Sequence, residues 1–192
     1  MLAKLALLLQ KRSREGTNLL TIEILDEDGF PIRDLYKASL DETMKTSVLD
    51  WTIERKRAQV DEMGRLHRSI TFDGYDGFKL RKEGGFKALP PENSRERWGL
   101  LPEHSPNERE LLENLPALRE YCIPVKRSVI ISYAVCKTTD SWQGCPNAGP
   151  YGHRTRAIGI AIDNAIEKGD ILFVNGLIDP NSSYEFEIPD DV

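Results

Sequence analysis

Lys126-Arg-Ser-Val-Ile-Ile-Ser-Tyr-Ala-Val135 is the stretch whose reading decides the fold. It is dominated by β-branched and aromatic residues, which suit a pleated and half-buried surface. Strict alternation over residues 125–137 puts Val129, Ile131, Tyr133 and Val135 on one face, and Ile130, Ser132, Ala134 and Cys136 on the other. Both faces are largely apolar, so the strand belongs in the middle of a sheet. A loop rich in Gly, Pro and Ser spans residues 138–151. Residues 154–168 then carry Ile158, Ile162, Ala165 and Ile166 at helical spacing and end at Gly169. Residues 171–178 read as a last strand.

Toward the N-terminus, residues 19–25 are apolar except for Thr21 and Glu23, which predicts a second central strand. Asp26-Glu-Asp-Gly29 supplies the turn that follows it. Ser39-Leu-Asp-Glu42 reads as a capping box opening a helix through Met44, Val48 and Trp51 to about residue 63, before Gly64. Arg55, Lys56 and Arg57 fall in the second half of that helix. Residues 64–107 are irregular, punctuated by Gly84-Gly85 and Pro90-Pro91, and read equally as short strands near 69–72 and 78–80 or as a long surface excursion. Tyr75, Phe78 and Trp98 are the aromatics there that would anchor a protein partner or hold the loop down. A second capping box, Ser105-Pro-Asn-Glu108, opens a short helix through Leu111, Leu112 and Leu115.

These elements predict an α+β fold: a single domain, with a mixed or antiparallel sheet, packed helices and a long irregular middle loop. The expected boundaries are a basic amphipathic N-terminal arm over 1–16, the domain over 17–179, and an acidic C-terminal tail over 180–192.

Composition narrows the function classes. The 192 residues are 40% hydrophobic with a net charge of −5, ordinary globular usage. No apolar run approaches the ~20 residues of a membrane span. The run Leu5 to Leu9 is followed directly by Lys11, Arg12 and Arg14 and lacks a small-residue cleavage site, which argues against secretion. Three cysteines then read as reduced thiols, and Asn181-Ser-Ser183 as a turn. The location expected is cytoplasmic and peripheral at a membrane. An acidic total argues against direct, sequence-specific nucleic-acid binding.

The charge is uneven. Lys4, Lys11, Arg12 and Arg14 stand in residues 1–14 with no acid, whereas everything after Lys168 holds acids and no base. Leu2, Leu5 and Leu9, with Ala6, line one side of a helix at 3.6-residue spacing, so the arm reads as a short cationic amphipathic helix. It would lie on an anionic membrane surface, or pack on the core or on a neighbouring subunit. The residues that would carry the contact are Lys4, Leu5, Leu8, Leu9, Lys11, Arg12 and Arg14. The acidic tail would meet the basic arm, or the Arg55–Arg57 cluster, of a second copy.

Candidate chemistry is sparser. Cys122, Cys136, Cys145 and His153 are a recognised zinc ligand set by type, but no pair stands two to four residues apart, as structural zinc sites usually bring. Cys136 or Cys145 with His153 and Asp140 or Asp163 could be assembled into a nucleophilic-cysteine site without any local signature. The glycine of Asp26–Gly29 comes too early for a calcium loop. Gly84-Gly85 lacks the strand, helix and lysine of a phosphate cradle. No cofactor is implied.

The element order, and above all Lys126 to Val135, Arg154-Thr-Arg-Ala-Ile158 and Ile171-Leu-Phe-Val-Asn175, resembles the matrix proteins of rhabdoviruses of the vesiculovirus type. The resemblance implies a structural protein of the virion that assembles with itself, with a membrane and with a nucleocapsid. Lys4, Lys11, Arg12 and Arg14 are the positions that match its cationic arm. Pro90-Pro91-Glu92-Asn93 lacks the tyrosine of the Pro-Pro-x-Tyr budding motif, so membrane contact and self-association are the roles implied. The expected function is therefore a non-enzymatic assembly protein. The alternatives are a small cysteine- or zinc-dependent enzyme with its site in residues 136–153, and an adaptor or inhibitor binding one protein.

Overall fold

The computed structural model describes residues 1–45, 53–74, 85–88, 98–101, 117–137, 145–146, 148–179 and 185–192. The fold is α+β. Its main sheet runs in the order β10-β1-β2-β7-β6-β5-β4, with β3 also paired to β2. The strands are β1 (Leu2–Leu9), β2 (Asn18–Leu25), β3 (Pro31–Asp34), β4 (Gly85–Ala88), β5 (Trp98–Leu101), β6 (Ala117–Val125), β7 (Ser128–Lys137) and β10 (Phe186–Glu187). The helices are α1 (Leu35–Lys45), α2 (Ile53–Asp73) and α3 (Gly149–Lys168). A small hairpin, β8 (Phe173–Val174) and β9 (Leu177–Ile178), stands apart from the main sheet.

The hairpin β6–β7 is its spine. Lys126 and Arg127 turn it, and Val125 pairs with Ser128. Tyr121 faces Tyr133 while Cys122 faces Ile131, so Ser132 is an extra residue, a β-bulge. Its hydroxyl bonds the Tyr121 carbonyl at 3.0 Å and the Thr155 hydroxyl at 2.8 Å, settling a group that the broken ladder would leave unpaired. The bulge corrects the alternation expected from sequence. Val129, Ile131 and Ala134 pack on one side, while Ile130, Tyr133 and Val135 pack on the other.

β2 runs parallel to β7, with Asn18 beside Ser128, and antiparallel to β1, from Ala3 opposite Ile24 to Leu9 opposite Leu19. Residues 2–9 are thus a strand of the sheet, which corrects both the helical reading and the detached arm. Ala3 and Leu5 enter the core under α3, and a register shift between Leu7 and Leu9 turns Leu8 and Leu9 toward the other face. The C-terminal residues do not trail away either. Phe186 and Glu187 pair with Ala3 and Leu2, and Phe186 and Ile188 are buried.

Two apolar layers result. α3 covers one face through Ile158, Ile162 and Ala165, and α1 and α2 cover the other through Tyr36, Met63, Leu66 and Ile70. The carboxylate of Asp34 accepts the Lys37 amide at 2.9 Å and so caps α1. The predicted cap, Ser39, lies inside that helix instead, where its hydroxyl accepts the Ala134 amide at 2.9 Å. α2 continues through Gly64 to Asp73, so no strand forms at 69–72. Lys56 falls in its first turns rather than late in a helix, donating to the Met44 carbonyl. At 171–178, Asn175 and Gly176, both at positive φ (53° and 79°), fold the expected strand into the β8–β9 hairpin. The expected helix at 105–115, the strand at 78–80, Tyr75, Phe78 and the Asn181 sequon lie outside the described residues.

Candidate interaction surface at the ends of the sheet

α2 ends against the β1–β2 connection. The Arg12 amide donates to the Thr71 carbonyl at 2.7 Å, the Thr17 amide to Ile70, and the Ser13 hydroxyl to the Phe72 carbonyl. Residues 12–17 therefore satisfy carbonyls that the last turn of a helix leaves without partners. Gly16 is required for this approach, since a Cβ there would stand 1.9 Å from the Thr71 oxygen. Arg12 and Arg14 are exposed beside the negative end of the α2 dipole, which favours cations at that place.

The parallel pairing of Asn18 with Ser128 brings the β6–β7 turn to the same end of the sheet. The Arg127 guanidinium donates to the Arg14 carbonyl, and its amide donates to Gly176 of the hairpin at 3.1 Å. The Lys126 ammonium stands 3.7 Å from the centroid of the Phe173 ring. One end of the sheet thus gathers Lys11, Arg12, Arg14, Lys126 and Arg127, bordered by the acids Glu15, Asp73 and Asp179. Phe72 and Val174, 59% and 55% exposed, lie on its rim.

The opposite end carries the opposite charge. There the Asp26–Gly29 turn follows β2, and the Asp26 carboxylate accepts the amides of Asp28 and Phe30. A Cβ on Gly29 would meet Glu185 at 3.0 Å, so the turn and the C-terminal segment touch. The N-terminal ammonium of Met1 pairs with Asp190 at 2.7 Å, which holds that carboxyl below its usual range. Met1 and Ile188 exchange backbone hydrogen bonds.

The residues expected to form an arm are divided by this architecture. Leu5 is buried at 8%, and Leu8 and Leu9 pack against the α1/α2 side, so none of the three offers an apolar face to a membrane. Lys4 is half-buried, 3.6 Å from Glu23 across the strand pair. Lys11, Arg12 and Arg14 do reach the surface. Lys126 and Arg127 complete the cationic end and were missed, because only the parallel pairing of β2 and β7 places them there.

A second polar cluster lies inside. Glu120, fully buried on β6, accepts the Tyr36 hydroxyl at 2.9 Å on one oxygen, and the other lies 2.6 Å from His67 Nε2. Burial, then the adjacent carboxylate, pushes the Tyr36 hydroxyl well above its usual pKa. With Glu120 and its partners enclosed, this network ties α1 and α2 to the sheet and presents no reacting atom to a substrate.

The zinc set is not brought together. Cys122 belongs to the apolar layer under α1 and α2, Cys145 to the layer under α3, and His153 is exposed. Among the described residues no group of three His, Cys, Asp or Glu side chains is placed to hold a metal. Of the nucleophilic-cysteine alternative, Cys136 and Cys145 are buried, His153 is exposed, and Asp140 lies outside the described residues. Among the described residues no helix is long and apolar enough to cross a membrane. Neither a family model, nor a curated protein, nor a solved structure matches this chain.

Proposed function

We propose that this chain is a non-enzymatic assembly protein that associates with itself and makes peripheral contact with anionic surfaces. A membrane and a nucleocapsid are the surfaces that the matrix-protein resemblance implies. The observation that carries this reading is the cationic end, where Lys11, Arg12 and Arg14 from one connection meet Lys126 and Arg127 from another. Segregated charge in a chain of net charge −5 favours oriented contact over general adhesion. The helix dipole accounts for a cation or two beside α2, but not for the pair supplied by the β6–β7 turn.

Sedimentation velocity of the intact chain, in low salt and in high salt, tests the reading. Particles larger than a monomer that dissociate as salt rises are expected, because screening shortens the reach of surface charge to a few ångströms near 1 M. A monomer at every salt and protein concentration would refute it.

A further inference from the structure

We infer that copies of this protein join head to tail, the acidic end of one seated on the cationic end of the next. This rests on the assembly reading above and adds the surfaces and the symmetry.

The two ends are fixed by the β1–β2 pair. β1 is eight residues long, so at roughly 3.3 Å per residue the ends stand about 26 Å apart. Lys11 and Arg12 follow its last residue, and the acidic turn lies beyond the far end of β2. Glu27, Asp28, Glu185, Glu187, Asp190 and Asp191 are all exposed at the acidic end, against the Met1 ammonium and Arg33. The apposition of Gly29 and Glu185 makes one surface of what are two distant segments in sequence.

Charge is half of the match. Exposed surface ion pairs contribute little individually, so the carboxylates and guanidinium groups set orientation and encounter rate more than affinity. Affinity needs apolar anchors, and each end has them. Phe30 and Ile32 are 67% and 64% exposed beside the acidic turn, and Phe72 and Val174 are similarly exposed beside the cations. Large side chains set in a polar rim are the composition of a protein interface.

The symmetry follows. The two surfaces differ and lie at opposite ends of one molecule, so each copy uses one of each and the contact is heterologous. A heterologous contact extends into a chain or closes into a ring, and it does not stop at a dimer. A second copy is favoured over a lipid surface as the occupant, because a flat anionic membrane would leave the acidic end and its exposed Phe30 and Ile32 without a partner.

The test uses complementation between two full-length variants. R12Q/R14Q/K126Q blunts the cationic end; E27Q/D28N/E187Q/D191N blunts the acidic end and spares Asp190, which is bonded to Met1. All are exposed side chains, and equal circular dichroism and melting temperature to the parent establish that each variant is folded. In low salt each variant alone should associate at least tenfold more weakly than the parent. An equimolar mixture should form dimers and nothing larger, since each mixed pair has only one intact contact.

Several results would overturn the inference. A mixture that stays monomeric while the parent assembles would mean that assembly uses another surface, leaving the assembly reading intact. Growth of the mixture beyond dimers, or parent-like assembly of either variant, would do the same. Parent-like assembly of the first variant with lost flotation on phosphatidylserine vesicles would assign the cationic end to lipid. A parent that is monomeric at all salts would sink both readings together.

Discussion

His67 Nε2 lies 2.6 Å from the Glu120 carboxylate across 53 residues of sequence, with the glutamate at zero exposure and the imidazole at 6%. The other oxygen of Glu120 is held by Tyr36, whose ring stands 6.1 Å from that of His67. A buried carboxylate with both oxygens satisfied joins a strand to two helices. Removing one partner leaves a buried polar oxygen unsatisfied, which costs more than the hydrogen bond itself contributes. His67→Ala and Tyr36→Phe should therefore each destabilise by about 1–3 kcal/mol. Urea denaturation with a common slope measures both. A cost for His67→Ala within the ~0.5 kcal/mol typical of surface changes would show that water replaces the imidazole.

Alkali should unfold this protein through its buried phenols. Burial pushes Tyr133 from 10.0 up to about 12, and it raises Tyr36 and Tyr121 further. A pKa raised on folding means that the folded state retains the proton longer, so stability is complete below pH 10 and falls as pH rises toward about 12. Tyrosinate absorbance and circular dichroism should change together in that window. Tyr133→Phe should delay the loss, because the Tyr133 hydroxyl is buried with no hydrogen-bond partner among the described residues. Tyrosinate formation that precedes any change in secondary structure would count against this account.

Gly16 is the residue on which the cationic end depends. A side chain there cannot coexist with the Thr71 carbonyl, so Gly16→Ala must push residues 12–17 off the end of α2. About 1–3 kcal/mol is the usual cost of forced overpacking, with broken hydrogen bonds from the Arg12 and Thr17 amides in addition. Hydrogen exchange should show lost protection at these two amides before the core of β7 is affected. Parent-like protection at Arg12 would mean that the connection is not held by the helix end.

How much of this was legible before folding differs by element. β2, the body of α3 and its Gly169 stop depend on local pattern and formed as read. β1 did not, because a short run of Leu and Ala satisfies helical and strand spacing alike, and pairing with β2 decides between them. β6 was missed because it puts Glu120 and Arg119 between apolar residues, and Glu120 is tolerable there only with Tyr36 and His67 in place. The bulge at Ser132 shifts the phase of β7 by one residue, a change that needs the partner strand to be seen. The cationic end was half legible: Lys11, Arg12 and Arg14 were evident, whereas Lys126 and Arg127 became their neighbours only through a parallel pairing.

Lys126 sets stability against the proposed association. It turns β6 into β7 at φ 51°, in the left-handed region, and its ammonium rests on the Phe173 ring. The conformation costs a non-glycine residue roughly 1–2 kcal/mol, and an exposed cation–π contact returns about 0.5–1 kcal/mol. Strain exceeds the contact, so Lys126→Gly should stabilise the fold slightly, by at most about 1 kcal/mol after glycine's greater freedom in the unfolded chain. The same change removes a cation from the end proposed to carry association. Thermal melting should rise while the particle mass in low salt falls. Lys126→Asn is the control, since asparagine tolerates this conformation and carries no charge: it should weaken association as much, with less gain in stability. If Lys126→Gly lowers the melting temperature, the ring contact outweighs the strain and the turn is held by Phe173.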